Sequence, residues 1–308
     1  MRILFAGSGA FGLPTLTHLI AEGVEIVAIY TQPDRPAGRG KKLTPTPVAA
    51  YADAAGLPTI RTADINAESL PPADALVVIA FGQKIAPQVV DHARFGAINL
   101  HASLLPKFRG AAPIHWAVLS GESVTGNSVI RLAERMDAGA ILGQSAMPIG
   151  ELDTTGELHD RLAAAGGELV ARVLGELRIG IETETQQDES RASPAPKLTR
   201  ETAALDFTRP AGVVCRTIHG LYPWPGCRVR LIDAKERETV RLTLVRARVV
   251  EKTRSGFVGI LDDAGHVGCG EGMIEIVELQ PEGKRPMPLA SFRNGHPWQA
   301  EMRLESIV

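Results

Sequence analysis

The first thirty residues leave the chain few ways to fold. Residues 3–6 are a short apolar run stopped by Gly7, Gly9 and Gly12. Residues 13–22 then place Leu13, Leu16, Leu19 and Ile20 at helical spacing, and residues 24–30 form a second apolar run. Strand, helix, strand within that length is a βαβ unit, because two adjacent parallel strands need a crossover between them. The expected class is therefore α/β with a mostly parallel sheet. Further strands are expected at residues 75–80, 97–100, 128–132 and 140–147, with helices at 47–55, 86–91 and, the longest, 155–177.

The pattern changes near residue 179. Residues 181–200 are polar, contain prolines and hold few large apolar side chains, which is the composition of a linker. Past it, residues 210–219 have helical spacing, and short apolar segments follow at 228–232, 240–250, 256–261, 266–269 and 273–279. Closely spaced short strands without intervening helices predict a small β-barrel, OB-like domain. The expected division of the 308 residues is 1–180, a linker at 181–200, and 201–308. Cys215, Cys227 and Cys269 are too scattered for a disulfide framework or a CxxC metal site and read as reduced thiols. No segment reaches the ~20 apolar residues of a membrane helix, and the first residues have no signal-peptide pattern. The expectation is a cytoplasmic protein without a membrane partner.

Gly7-Ser8-Gly9-Ala10-Phe11-Gly12 fits G-x-G-x-x-G between a strand and a helix, the setting in which glycines admit a dinucleotide pyrophosphate. That fingerprint also expects an acid at the end of the second strand, about 20 residues on. Here that strand ends Ile29-Tyr30-Thr31-Gln32, and the first acid is Asp34. The glycines are read instead as permitting a tight turn and close helix–sheet packing, with no NAD bound. An NAD(P) oxidoreductase is the alternative from another class.

Asn99 and His101 lie two apart at the end of the strand in Ala97-Ile98-Asn99-Leu100-His101, so an extended backbone turns both to one face. In open α/β sheets the carboxyl ends of the strands are where ligands bind. An amide donor beside an imidazole suits a reaction that develops an oxyanion: both groups donate to it, and the histidine also moves a proton near neutral pH. Such chemistry needs no metal, and no pair of histidines here has metal-ligand spacing.

The residues that follow are more specific. Ser103-Leu104-Leu105-Pro106, then Arg109-Gly110-Ala111-Ala112-Pro113, then Glu134-Arg135-Met136-Asp137-Ala138-Gly139 resemble the folate-dependent formyltransferase family. The resemblance implies a Rossmann-like formyltransferase domain that binds no NAD, with Asn99, His101 and Asp137 as the catalytic set. It also implies 10-formyltetrahydrofolate as formyl donor, in a site that Ser103, Leu104, Leu105 and Pro106 help to shape.

One loop narrows the resemblance. Gln32-Pro33-Asp34-Arg35-Pro36-Ala37-Gly38-Arg39-Gly40-Lys41-Lys42 holds four cations and no anion from Arg35 onward. Its bland reading is a solvated surface; its functional reading is a phosphate grip beside the site. It resembles the insertion of the methionyl-tRNA formyltransferases, which implies initiator methionyl-tRNA as partner, contacted through Arg35, Arg39, Lys41 and Lys42. Arg39, between two glycines, is the first choice among them. Lys197-Leu198-Thr199 and the stretch from Ile218 to Gly226 resemble that family's second, tRNA-contacting domain, and the family implies a monomer. Formyl transfer to a small amine, or hydrolysis of the folate donor, is the alternative within the same catalytic core. The formal net charge of −2 excludes a uniformly basic nucleic-acid binder. It averages 16 basic and 21 acidic side chains in residues 1–196 against 17 and 14 in residues 197–308.

Overall fold

The computed structural model describes residues 1–38, 40–251 and 257–307. Two compact units emerge: Met1–Pro113, Thr125–Met147 and His159–Ala195 form one, and Ile114–Val124, Pro148–Leu158 and Pro196–Val308 the other. In chain order the elements begin β1 (Arg2–Gly7), α1 (Leu13–Ala21), β2 (Glu25–Thr31), β3 (Arg35–Ala37), β4 (Lys42–Thr44), α2 (Pro47–Ala54) and β5 (Thr59–Arg61). They continue with β6 (Ala75–Ile79), α3 (Pro87–Val90), β7 (Ala97–His101), β8 (Arg109–Gly110), α4 (Pro113–Leu119), β9 (Val124–Arg131), β10 (Ile141–Pro148), α5 (Thr155–Ile179) and β11 (Pro194–Ala195).

The main sheet has the order β10-β9-β7-β6-β1-β2-β5. Its β5, β2, β1, β6 and β7 neighbours pair in parallel, and β9 joins β7 antiparallel. Ile3, Leu4, Phe5 and Ala6 are all buried, as the consecutive residues of a central strand covered on both faces must be. Between β1 and β6 the strand order reverses direction, so the carboxyl ends of β1, β6 and β7 line the edge where ligands bind in such sheets.

The glycine-rich turn packs against that switch point. Ser8 N–H and Gly9 N–H both donate to Ala80 O at 3.3 Å. A Cβ on Gly7 would stand 2.6 Å from the Phe5 ring and 3.0 Å from Ile79 O. The amides of Ser8 and Gly9, which would help to cradle a pyrophosphate, are thus directed at the carbonyl of Ala80 just past β6, which favours the packing reading of these glycines.

Residues 35–37 and 42–44 are not irregular, as the Pro and Gly content of this stretch suggests, but the two strands of a small hairpin. β3 and β4 pair antiparallel, Arg35 opposite Thr44 and Ala37 opposite Lys42. Two residues near the turn, Gly38 (φ +69°) and Lys41 (φ +47°), take left-handed backbone to let the chain reverse. β9 likewise starts four residues earlier than the apolar pattern indicates. Polar Asn127 is buried there because its Nδ2 donates to Leu162 O at 2.8 Å.

The second unit adds α6 (Ala211–Gly220), β12 (Cys227–Ile232), β13 (Glu238–Glu251), β14 (Val267–Gly268), β15 (Met273–Pro281), β16 (Met287–Pro288), α7 (Leu289–Phe292) and β17 (Arg303–Ile307). Its antiparallel sheet runs β14-β15-β13-β12-β17, with β16 on β15. The strand expected at 256–261 is instead a set of single bridges, because Gly259 (φ +73°) interrupts extended pairing; residue 256 lies outside the described residues. Val258 and Leu261 bridge β14 while Ile260 bridges Arg303 of β17, which nearly closes the barrel.

α6 is tied into this barrel by a buried histidine. His219 Nε2 accepts Ala247 N–H at 3.0 Å, beside a register shift between Arg246 and Ala247 of β13. Accepting requires the neutral ring, and burial pushes its pKa down from 6.5 to about 4. The unfolded chain therefore takes up this proton near 6.5 and the folded chain only near 4. His219's contribution is complete above pH 6.5 and is lost as pH falls toward 4, by a total of about 3 kcal/mol. Urea midpoints of the second unit should fall between pH 7 and pH 4.5. His219→Leu is expected to lose about 1–3 kcal/mol at pH 7 through the orphaned amide and to flatten that pH dependence. An unchanged slope in the variant would refute the assignment.

Candidate active site

β7 brings its two polar side chains to the carboxyl edge of the sheet. Asn99 stands opposite Val78 of β6 and Ile130 of β9, His101 opposite Ser128. His101 is 6% exposed, and its Nε2 lies 2.8 Å from Phe108 O. A carbonyl only accepts, so Nε2 carries the hydrogen and Nδ1 is left as the nitrogen that gains or loses a proton. Nδ1 faces Asp137 Oδ2 at 3.6 Å, too long for a hydrogen bond but within range of charge pairing. Asn99 is half-buried, and its amide makes no hydrogen bond with any described residue. An unengaged amide beside an imidazole leaves donors available to a ligand.

Asp137 lies beyond β9 with left-handed backbone, φ +53°, a conformation that aspartate tolerates better than most residues. Its Oδ2 accepts Gly110 N–H at 2.9 Å, and Gln187 Nε2 donates to its carbonyl at 2.7 Å. The chain from Ala102 to Phe108 is shaped by residues that sequence patterning did not single out. Ser128 Oγ donates to Ser103 O at 2.6 Å and accepts Leu105 N–H at 3.1 Å and Gln144 Nε2 at 2.7 Å. Ser103 is fully buried with its Oγ donating to Lys107 O at 2.7 Å, and Leu105 is buried too; Leu104 and Pro106 are half-buried. Ser128 follows Thr125, Gly126 and Asn127 in β9, so its polarity does not stand out in the sequence. Gln144 and Gln187 likewise carry no local signal.

The polar segment past α5 is fastened to this unit at several points. Thr185 and Ile141 exchange backbone hydrogen bonds at 2.8 and 2.9 Å, Phe108 N–H donates to Ser193 Oγ at 2.9 Å, and β11 pairs with β8. Glu189 takes Arg109 at 2.8 Å and Arg135 at 3.0 Å, and these guanidinium hydrogen bonds hold its carboxyl down to about 2.

Arg35, Lys41 and Lys42 are exposed on the hairpin that rises from the carboxyl end of β2, at the same edge of the sheet as the end of β7. None of the three forms an ion pair with a described residue, and Arg35 donates to Gln32 Oε1 at 2.9 Å. They are not partners of His101 or Asp137. Arg39 lies outside the described residues. The barrel arginines are different: Arg228, Arg230 and Arg248 pair with Glu282, Glu305 and Glu275 at 3.3, 2.6 and 2.6 Å. Among the described residues no group of three or more His, Cys, Asp or Glu side chains is placed to hold a metal, and no helix is long and apolar enough to cross a membrane.

Two family models match this chain: formyl transferase over residues 1–174, and formyl transferase, C-terminal domain, over residues 197–297. Curated relatives include the methionyl-tRNA formyltransferase of Moorella thermoacetica, 39% identical with 96% of this chain and 97% of that one covered. The methionyl-tRNA formyltransferase of Caulobacter vibrioides is 41% identical, with the same coverage of each chain. Among solved structures, the sugar 3N-formyl transferase WlaRD, determined with dTDP and 5-N-formyl-THF, superposes with a TM-score of 0.65 at 14% identity, covering 92% of this chain and 99% of that one. HypX from Aquifex aeolicus, in complex with tetrahydrofolic acid, gives 0.59 at 17% identity, covering 95% of this chain and 46% of that one. These two share the fold. The sequence relatives extend over nearly the whole chain, which thereby belongs to the methionyl-tRNA formyltransferase family.

Proposed function

We propose that this chain transfers the formyl group of 10-formyltetrahydrofolate to the α-amine of methionyl initiator tRNA, with Asn99, His101 and Asp137 as its catalytic residues. The observation that carries the reading is the convergence at one sheet edge of an unengaged Asn99 amide, the Nδ1 of a buried His101, and a carboxylate 3.6 Å from that nitrogen. A formyl donor supplies an electrophilic carbon whose oxygen gains negative charge as the amine adds. The Asn99 amide donates to that oxygen, and His101 donates from Nδ1 when protonated. Asp137 stabilises the charged imidazole and accepts the amine proton, directly or through water. The tetrahedral adduct then collapses as the bond between the formyl carbon and N10 breaks, and N10 takes up a proton and leaves as tetrahydrofolate. Phe108 O fixes the ring so that Nδ1 and not Nε2 does this work. The turn from Ser103 to Pro106, braced by Ser128, forms a wall for the folate. The chemistry draws on hydrogen bonds and proton transfer and calls on neither metal nor NAD. The protein acts as a monomer in the cytoplasm, and residues 201–308 contact the tRNA.

The deciding experiment incubates the purified chain with methionyl-tRNA and 10-formyltetrahydrofolate. N-formylmethionyl-tRNA is the expected product. Release of formate without formylated tRNA would favour the hydrolase reading and overturn this one.

The basic segment after β2 supplies the second partner's grip, through Arg35, Arg39, Lys41 and Lys42. Lys41→Ala/Lys42→Ala is expected to raise the KM for tRNA and leave that for the folate little changed. Each lost phosphate contact removes about one unit from the slope of log affinity against log salt, so the double variant should flatten it by about two. Equal rises in both KM values, or an unaltered slope, would show that these lysines do not touch the tRNA.

A further inference from the structure

The carboxamide of Gln187, in the polar segment between the long helix and β11, sits where nothing in its sequence surroundings predicts a function. Its oxygen accepts from both Nε and an Nη of Arg109, at 3.0 and 2.8 Å. Its nitrogen donates to Asp137 O at 2.7 Å and Gly139 O at 2.8 Å. The orientation is unambiguous, since a guanidinium can only donate and a carbonyl can only accept. Every hydrogen-bonding position of the carboxamide is therefore used.

These bonds close a ring around Asp137. The Asp137 carboxylate takes Gly110 N–H at 2.9 Å, Gly110 follows Arg109 in the chain, Arg109 holds Gln187, and Gln187 returns to the Asp137 backbone. Arg109 is itself held on its other edge by Glu189. The clamped residues are ones that need clamping. Asp137 has φ +53°, a region costing a non-glycine residue roughly 1–2 kcal/mol. Gly139 comes so close to Arg131 O that it has no room for a Cβ. A turn in that state keeps its carboxylate beside His101 only if its carbonyls are pinned.

We propose that Gln187 is a positioning residue for formyl transfer: its carboxamide ties the loop carrying Arg109 and Gly110 to the turn carrying Asp137 and so fixes the Asp137 carboxylate against His101 Nδ1. This rests on the catalytic assignment of Asp137 made above. It also makes the polar segment, by composition a spacer, a component of the site.

Only an amide satisfies both sides. Gln187→Glu keeps the acceptors for Arg109 but sets a carboxylate against two carbonyl oxygens. Gln187→Met keeps the length and loses both sets of bonds. Displacement by about 1 Å at a reacting group can cost on the order of 10²-fold. Both variants are expected to lower the single-turnover formylation rate 10- to 100-fold at saturating tRNA and donor (on the scale of that displacement), with each KM within about twofold of wild type. In an Asp137→Asn background the same substitutions should cost less than about twofold, because residues acting through one another are not additive.

Rates within about twofold of wild type for both single variants would overturn the proposal. So would losses that multiply fully with Asp137→Asn, or a parallel rise of both KM values with a lowered Tm, which marks general damage to the fold. Failure of the underlying reading looks different: Asp137→Asn alone would then leave the wild-type rate of N-formylmethionyl-tRNA formation unchanged.

Discussion

Asn99→Ala is expected to slow single-turnover formyl transfer by on the order of 10²–10³-fold, the usual cost of removing one preorganised oxyanion donor. The variant is a clean one. The Asn99 amide makes no hydrogen bond with described residues, so its removal strands no protein partner and should leave Tm close to wild type. An interaction formed only as charge develops lowers kcat and kcat/KM together, so the KM values for tRNA and donor should hardly move. His101→Ala should cost at least as much, but it also releases Phe108 O from its 2.8 Å contact, so part of its effect is structural. If the two groups serve one oxygen, as proposed, the double variant should fall well short of the product of the single losses. A normal single-turnover rate in Asn99→Ala would remove the residue from the mechanism.

How far the sequence reveals this arrangement depends on the range of the interactions. The parallel sheet and its order of helices are legible because each apolar run is local and buried on both faces, as Ile3 to Ala6 show. Asn99 and His101 are legible as a pair because strand periodicity alone puts them on one face. Asp137 enters through family resemblance, and no periodic pattern links it to a strand 36 residues earlier in the chain. Gln187 and Ser193 are invisible for a sharper reason: a segment poor in apolar residues reads as solvated linker, yet its polar groups are consumed by Asp137, Gly139 and Phe108. Hydrogen-bond partners brought from 50 or 85 residues away leave no imprint on local composition.

Charge behaves in the same way. Counting places a surplus of three cations in residues 197–308, but it does not say which are available. On the barrel strands Arg228, Arg230 and Arg248 already hold glutamates, and Arg246 joins Glu157 at 2.6 Å and Glu278 at 2.8 Å. The Arg246 hydrogen bond, aided by those from Thr154, holds the Glu157 carboxyl down to about 2. Such a pair stays ionised at any pH where tRNA binds, so a phosphate would have to compete for these guanidinium groups. The exposed hairpin lysines have no such competitor among the described residues. The salt dependence of tRNA binding should therefore follow Lys41 and Lys42 more closely than the net charge of the barrel.

Gly110→Ala should combine a stability loss with a catalytic one, although the side chain added is a single methyl. Gly110 has φ +128°, a backbone region open essentially to glycine alone. Its Cβ would lie 2.6 Å from Ala195 O, on the strand paired with it. The obstacle is backbone, so no rotamer change relieves it, and β8 must move away from β11. The dihedral strain alone costs about 1–3 kcal/mol, and urea unfolding of the first unit should report at least that. The same movement withdraws Gly110 N–H from Asp137 Oδ2, now 2.9 Å away, and shifts the Arg109 that grips Gln187. A displacement near 1 Å should lower kcat by about 10²-fold. Gly175→Ala is the control: this glycine lies inside α5 with nothing within 4 Å of a built Cβ. There alanine should add about 0.5–1 kcal/mol of stability and leave kcat unaltered. If Gly110→Ala instead matched the control in both measurements, the close pairing of β8 with β11 and its hold on Asp137 would not exist in solution.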